Sequence, residues 1–319
     1  MLGALFASAL FGLVAPEHVN RIVRLCIAVA GGGFALFLLG YFDWHLPNGM
    51  QIGGPLGIFV LLLIWDPGQK LPELVNTNFQ VCKDNVQRGE DAIAEAYCAK
   101  AVEDLPNGPE ARYWLAAAQF HEGRYNEAIA SWTKALELGA DPARTNYNIA
   151  FANFRVGKYE DAIKAASAAA DATTTNPALR ARSLFMIANA EFSLWNYGSG
   201  ADDHFKNAAA QYQAFLEIGS PKYKARAELA CLMAVKAELT NDDQQKKNYD
   251  QQAISNFEEA LNSVKAYNAG SSQDIQAEKA AFVGAYRPYA GKCGASLSQV
   301  WQRMRPTENY VEVLSSVQT

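Results

Sequence analysis

Glycines stand at 89, 123 and 157, one every 34 residues, and each is followed by an acidic, alanine-rich segment. A period of that length leaves few architectures open. A unit of about 34 residues is a single supersecondary element that cannot bury its apolar stripe alone and stacks on its neighbours to do so. Downstream of each glycine the same small and large positions recur: Ala94, Cys98, Ala101 and Val102; Ala128, Trp132, Ala135 and Leu136; Ala162, Ala166, Ala169 and Ala170. Steps of four, three and one put each set on one helical face. Upstream, a large residue sits beside a small one in Val81–Cys82, Leu115–Ala116 and Ile149–Ala150. The spacing predicts two antiparallel helices per unit, joined at the glycine, with small side chains where the axes come close.

In the second unit Leu115, Ala116, Gly123, Tyr125, Ala128, Trp132, Ala135 and Leu136 resemble the tetratricopeptide repeat: large then small, Gly and aromatic, then Ala, aromatic, Ala-Leu. The third unit keeps Ile149, Ala150, Gly157, Tyr159, Ala162 and Ala169, with Ala166 in place of the aromatic. In the first, Asp91 replaces the turn aromatic. A fourth has Ile187, Ala188, Tyr197, Ala208, Tyr212 and Leu216, with about eight extra residues, "GSGADDHF", expected in its inter-helix turn by comparison with the family length. A fifth has Ala253, Phe257, Ala260 and Leu261. The units are 75–108, 109–142, 143–176, 177–219 and 220–266. The fold class expected is all-α: an α-solenoid of about five such pairs, with capping helices in 271–305 and a tail, 306–319, whose state the sequence leaves open.

Half the residues are apolar, and they crowd the first 65 positions. Residues 22–42 carry one charge, Arg24, and read as a transmembrane helix. The uncharged run 46–65 reads as a second span, with a re-entrant segment as the alternative, because its first half is rich in Gly and Pro. Residues 2–15 are apolar over a shorter length and are expected to lie in the interface or form a third, short span. Residues 1–70 are thus a membrane anchor. Arg21 and Arg24 precede the first span, whereas 43–51 holds neither Lys nor Arg, so the positive-inside rule sets residues 15–24 in the cytoplasm. Two crossings later, the repeats return to the cytoplasmic side of a plasma (inner) membrane.

In tetratricopeptide repeats the first helices line a concave face, and the resemblance implies that this face is exposed at Glu110, Tyr113, Trp114, Ala117, Phe120 and His121, then Arg144, Tyr147, Asn148, Phe151, Phe154 and Arg155. Asn148 falls where peptide-gripping repeats often keep an Asn. The competing reading has the aromatics packing between units and Asn148 merely solvated. Tyr113 and Ala117 occupy positions where some members carry the basic residues that clamp a terminal carboxylate, which disfavours a receptor for chaperone tails. Cys82 and Cys98 fall on facing helices of the first unit at positions that pack together in the family; a disulfide there would imply an oxidising compartment, and two buried thiols are the alternative.

No basic block able to neutralise a row of phosphates occurs, and the net charge is −5, which argues against nucleic acid. The five cysteines (26, 82, 98, 231, 293) form no C-x-x-C, and the four histidines (18, 45, 121, 204) are scattered, so no metal or cofactor is expected. No nucleophile elbow, P-loop, zincin or dinucleotide motif is present, and no enzymatic activity is expected. His121 reads as a surface residue. The pairs Asp202–Asp203 and Asp242–Asp243 read as helix caps. The function expected is a membrane-anchored scaffold that binds a protein or peptide on its concave face for complex assembly, touching lipid through its N-terminal helices. Two alternatives stay open: an extracytoplasmic repeat protein of envelope or membrane-complex biogenesis, and a membrane effector whose repeats sense a partner or form a homo-oligomer.

Overall fold

The computed structural model describes residues 43–45, 51–53, 72–173, 175–198, 201–268 and 270–318. Two compact units divide the chain, 1–74 and 75–319. Within the first, β1 (Asp43–His45) pairs antiparallel with β2 (Gln51–Gly53) in the register Asp43↔Gly53, Trp44↔Ile52, His45↔Gln51. Gln51–Gly53 is extended, which departs from the helical second span expected over 46–65, while the all-α solenoid expected for the repeats holds. The sequence carried a signal for it: Asn48-Gly49 is a strong hairpin dipeptide, and it lies between the two strands. Among the described residues no helix is long and apolar enough to cross a membrane. The segments 2–15 and 22–42, and most of 46–65, lie outside the described residues.

The second unit holds thirteen helices among the described residues: α1 (Pro72–Arg88, which begins just before its boundary), α2 (Asp91–Asp104), α3 (Pro109–His121), α4 (Tyr125–Glu137), α5 (Pro142–Arg155), α6 (Tyr159–Ala172), α7 (Pro177–Tyr197), α8 (Asp202–Ile218), α9 (Lys222–Leu239), α10 (Asp243–Lys265), α11 (Ser272–Ala285), α12 (Gly291–Met304) and α13 (Tyr310–Ser315). From α2 to α10 each helix packs on the next.

The register glycines end the first helices for a stereochemical reason. Gly89, Gly123 and Gly157 have φ of 76°, 78° and 79°, where a side chain is strained. Each N–H bonds three residues back, and the next residue's N–H bonds five back: Gly123 to Phe120 and Arg124 to Gln119, Gly157 to Phe154 and Lys158 to Asn153. This is the Schellman closure, which satisfies carbonyls the helix would leave bare. Helix starts are equally local. Pro109, Pro142 and Pro177 each stand in a first turn, and Asp141, Asn176 and Asp242 cap by accepting from the backbone three residues on.

Packing follows the small-residue pattern. Ala94, Cys98 and Ala101, then Ala128, Trp132 and Ala135, then Ala162, Ala166 and Ala169, are all buried. A second periodicity went unread: Asn85, Gln119 and Asn153, also 34 apart, are buried amides. Asn85 and Asn153 donate to Val81 and Ile149 carbonyls, and Gln119 accepts from Ser131. Burying an amide is tolerable only with such partners.

Past α7 the stacked pairs continue, and α9, α10 and α12 pack on one another at the far end. α7 runs 21 residues and α8 starts at Asp202, so "DDHF" opens a helix and the extra length of the fourth unit lies mostly in α7 and not in its turn. α9 is buried all round, Leu229 through Val235 without a break, under α8, α10 and α12. An all-round apolar helix must be a core helix or a membrane span. The tail left open by sequence is part of this core: Tyr310, Leu314 and Val317 are buried, and the Tyr310 hydroxyl donates to the Tyr286 carbonyl at 2.6 Å. Cys231 on α9 and Cys293 on α12 are joined, with Cα atoms 5.2 Å apart.

Candidate functional site

The first helices α1, α3, α5 and α7 meet along one strip, and the side chains that join them are those of the expected concave face. Arg144 sets its guanidinium carbon 3.9 Å from the Tyr113 ring centroid and donates to both Glu110 oxygens, at 2.9 and 3.0 Å. Arg182 lies over Tyr147 at 5.8 Å and Lys83 over Trp114 at 5.9 Å, both within cation–π range. Phe120 packs on Tyr125, Trp132 and Phe151 with centroids 5.1–5.8 Å apart. Phe154 meets Tyr159 edge-on, and Arg155 donates to the Tyr125 hydroxyl at 3.0 Å.

These residues divide into floor and surface. Tyr113 is 6% exposed, which corrects its expected place as a contact residue: it is the floor on which Arg144 lies. Trp114, Phe120, Arg144, Tyr147, Asn148 and Phe154 are half-buried. Phe151 is 36% exposed, and Arg155, Glu110 and His121 are exposed. The Asn148 amide donates to the Tyr113 hydroxyl at 2.7 Å, so its side-chain donor is partly spent inside the protein. Burial pushes the Tyr113 phenol above its ordinary range, against the pull of Arg144, and does the same at Tyr147. Both phenols therefore stay neutral near pH 7. The His121 ring lies 2.9 Å from Asp91.

Two members of the strip were missed by sequence reasoning, Lys83 and Arg182. A signal existed for the second. Glu110, Arg144 and Arg182 each stand five residues before the large member of their unit's pair, Leu115, Ile149 and Ile187.

Cys82 and Cys98 are joined across α1 and α2, with Cα atoms 4.8 Å apart. Beside them the Asn78 amide donates to Asp104 at 3.0 Å. Further along, buried Glu191 lies 2.6 Å from the His204 ring and accepts from Asn207 at 3.2 Å, a polar cross-link of α7 to α8 that no motif announced. Asp242 is a cap, whereas Asp202 instead pairs with Lys236 at 2.5 Å, which lowers its carboxyl pKa. Among the described residues no group of three or more His, Cys, Asp or Glu is placed to hold a metal ion.

A tetratricopeptide-type family model described as "Anaphase-promoting complex, cyclosome, subunit 3" matches residues 88–169, which is 82 of the 319 residues. No curated protein matches the sequence. Among solved structures, residues 41 to the end of MamA from Desulfovibrio magneticus RS-1 superpose with a TM-score of 0.51 at 16% identity, over 63% of this chain and 100% of that one. PilF of Pseudomonas aeruginosa gives 0.45 at 18% identity, over 76% and 97%. PilW, described as a widely conserved type IV pilus biogenesis factor, gives 0.44 at 17%, over 77% and 99%. At such identities only the fold carries over, and only the MamA superposition is close enough to argue from. Helix pairs closed by in-register glycines, a matching repeat model and that superposition agree: the described helices form a tetratricopeptide-type α-solenoid, the architecture of protein-interaction scaffolds.

Proposed function

We propose that this protein is a scaffold held at a plasma (inner) membrane by its N-terminal apolar segments, and that the strip along α1, α3, α5 and α7 docks a segment of a partner protein for assembly into a complex. The observation that carries the docking reading is the exposed edge of that strip. Phe151 packs on Phe120 and Arg155 on Tyr125, and Phe120 is itself held against Tyr125 and Trp132; aromatic and arginine anchors over a pre-formed floor are what interface hot spots use. Membrane attachment rests on residues 22–42, about the twenty apolar residues a crossing helix needs. The test is affinity capture of the full-length protein in detergent, with Tyr147 and Phe151 both replaced by Ala. Loss of a specific partner by tenfold or more is expected, with unchanged melting of the repeats; undiminished capture removes the strip from the docking surface.

The side of the membrane is a separate matter, and two observations favour the oxidising side over the cytoplasm expected from the arginines. Four described cysteines are joined in two pairs, the state of extracytoplasmic proteins. Secondly, β2 takes residues 51–53 out of the second expected span and leaves 54–65, a stretch well short of the roughly twenty residues of a helical crossing. With one crossing at 22–42 and Arg21 and Arg24 in the cytoplasm, the repeats emerge on the far side. Alkylation with a thiol-reactive polymer of protein denatured directly from acid-quenched cells, so that the buried cysteines are accessible, before and after reduction, distinguishes the two. Cys82, Cys98, Cys231 and Cys293 should label only after reduction; labelling of all four without it would put the repeats in the cytoplasm.

A further inference from the structure

The docking strip carries a charge asymmetry that names the chemistry of its occupant. Lys83, Arg144, Arg155 and Arg182 lie on it, against two carboxylates that meet them, Glu110 on the Arg144 guanidinium and Asp141 on the Arg144 backbone N–H, so four cations less two anions leave two positive charges on a chain whose net charge is −5. Glu110 is already spent on Arg144. Among the described residues, Lys83, Arg155 and Arg182 have no ion pair with a carboxylate.

The protein itself displays what such a cation takes. At the junction of α3 and α5, Arg144 stacks on Tyr113 and presents its N–H edge to a carboxylate, Glu110, which stands three residues before Tyr113. One unit on, at the junction of α5 and α7, Arg182 lies over Tyr147 in the corresponding place, and three residues before Tyr147 stands Arg144. The internal ladder supplies its carboxylate once and withholds it at the next step. At Arg144 stacking orders the guanidinium, whose planar fork matches a carboxylate; Arg182 donates its Nε to the Ala178 carbonyl at 3.5 Å and is exposed. Arg155, at the other end of α5, is exposed and is held differently, by donation to the Tyr125 hydroxyl at 3.0 Å with its guanidinium carbon 5.5 Å from that ring's centroid.

We infer that the occupant of the strip is an acidic extended segment, whose aspartate or glutamate side chains complete the places left open at Arg182, Arg155 and Lys83 while its apolar side chains cover Phe151 and Tyr147. This rests on the docking reading given above and adds its chemistry. Neighbouring first helices are roughly 8–10 Å apart, and an extended chain advances about 3.3 Å per residue, so an acid at about every third residue matches one unit. The anionic groups are side chains, not a chain terminus. The fit therefore does not require a free carboxyl end.

The probe is a fluorescein-labelled, C-terminally amidated twelve-residue peptide with Asp or Glu at every third position and Leu or Ser between. A counterpart carries Asn or Gln at the acidic positions, and both are titrated by anisotropy against the full-length protein in detergent at low and at moderate salt. Expected results are at least tenfold tighter binding of the acidic peptide, a loss of at least tenfold in Arg155→Glu/Arg182→Glu with its helicity and melting unchanged, partial retention in Arg182→Lys, and weakening as salt rises. Equal binding of the two peptides overturns the acidic inference and leaves docking standing. Binding of the acidic peptide that is indifferent to Arg155→Glu/Arg182→Glu overturns it too, since the acid is then held elsewhere. Binding that needs a free C-terminal carboxyl assigns the site to a chain terminus and sinks the side-chain claim. If neither peptide binds, the inference fails; whether docking fails with it is read from the Tyr147 and Phe151 capture.

Discussion

Replacing Phe257 by Ala is expected to cost about 3–5 kcal/mol, the range for a fully buried aromatic truncated in a core that cannot collapse around the gap. The ring has no exposed surface and lies among Phe282, Tyr286, Trp301 and Tyr310, with centroids 5.7–6.2 Å away. Those four come from α11, the turn after it, α12 and α13, so one side chain of α10 anchors the whole C-terminal segment. The loss should therefore be regional. Trypsin should gain access to Arg303 and Arg305, while the cluster around Tyr113 and Trp132 keeps its own transition in urea, because stacked repeats communicate only through neighbours. A cost below about 1 kcal/mol, or uniform loosening of both regions, would show that the C-terminal helices do not hang on Phe257.

A second large effect is expected at the ion pair of Asp250 and Arg303, and its two halves should be unequal. Arg303 donates twice to Asp250, at 2.7 and 3.1 Å, bridging α10 to α12. The Asp250 side chain is 5% exposed and that of Arg303 is 35% exposed. Arg303→Met strands a buried carboxylate, which costs about 3–5 kcal/mol when no other group compensates it. Asp250→Asn leaves a guanidinium that can turn to water, and the loss should be about 1 kcal/mol, nearer that of a surface pair. Equilibrium urea denaturation of both variants measures the order, with the cysteine pairs oxidised so that Cys231 and Cys293 keep α12 tethered in each. If Asp250→Asn proves the more damaging, the carboxylate has another partner in the fold.

The repeat was legible because everything that makes it is local. Gly123 ends a helix through its own N–H bond to Phe120, three residues back, and that of Arg124 to Gln119, five back, and Pro142 with Asp141 begins a later one within four. The candidate site was half legible. Its residues could be named from their place in the unit, but Tyr113 proved to be floor, since Arg144, 31 positions on, lies over it, and the Asn148 amide reaches back 35 to its hydroxyl. Arg182 and Lys83 were overlooked although the first repeats the step of Arg144. The second strand was misread as part of a membrane span because an uncharged run scores as apolar whatever its backbone does, while Asn48-Gly49 stood in it unheeded.

Spacing in the chain determined that hairpins of helix would form from about residue 75, which faces they would bury and where each would turn, since those choices are settled by bonds and contacts within some thirty positions. Closure of the far end was decided in three dimensions. The run from Leu229 to Val235 declares that α9 must be covered on every side, but an apolar surface attracts any apolar surface, and hydrophobic burial has no direction of its own. Only the packed structure selects α12 as part of that cover and seats the last helices beside it, through contacts that no local pattern encodes: Cys293 to Cys231 across 62 residues, Arg303 to Asp250 across 53, and the Tyr310 hydroxyl to the Tyr286 carbonyl across 24.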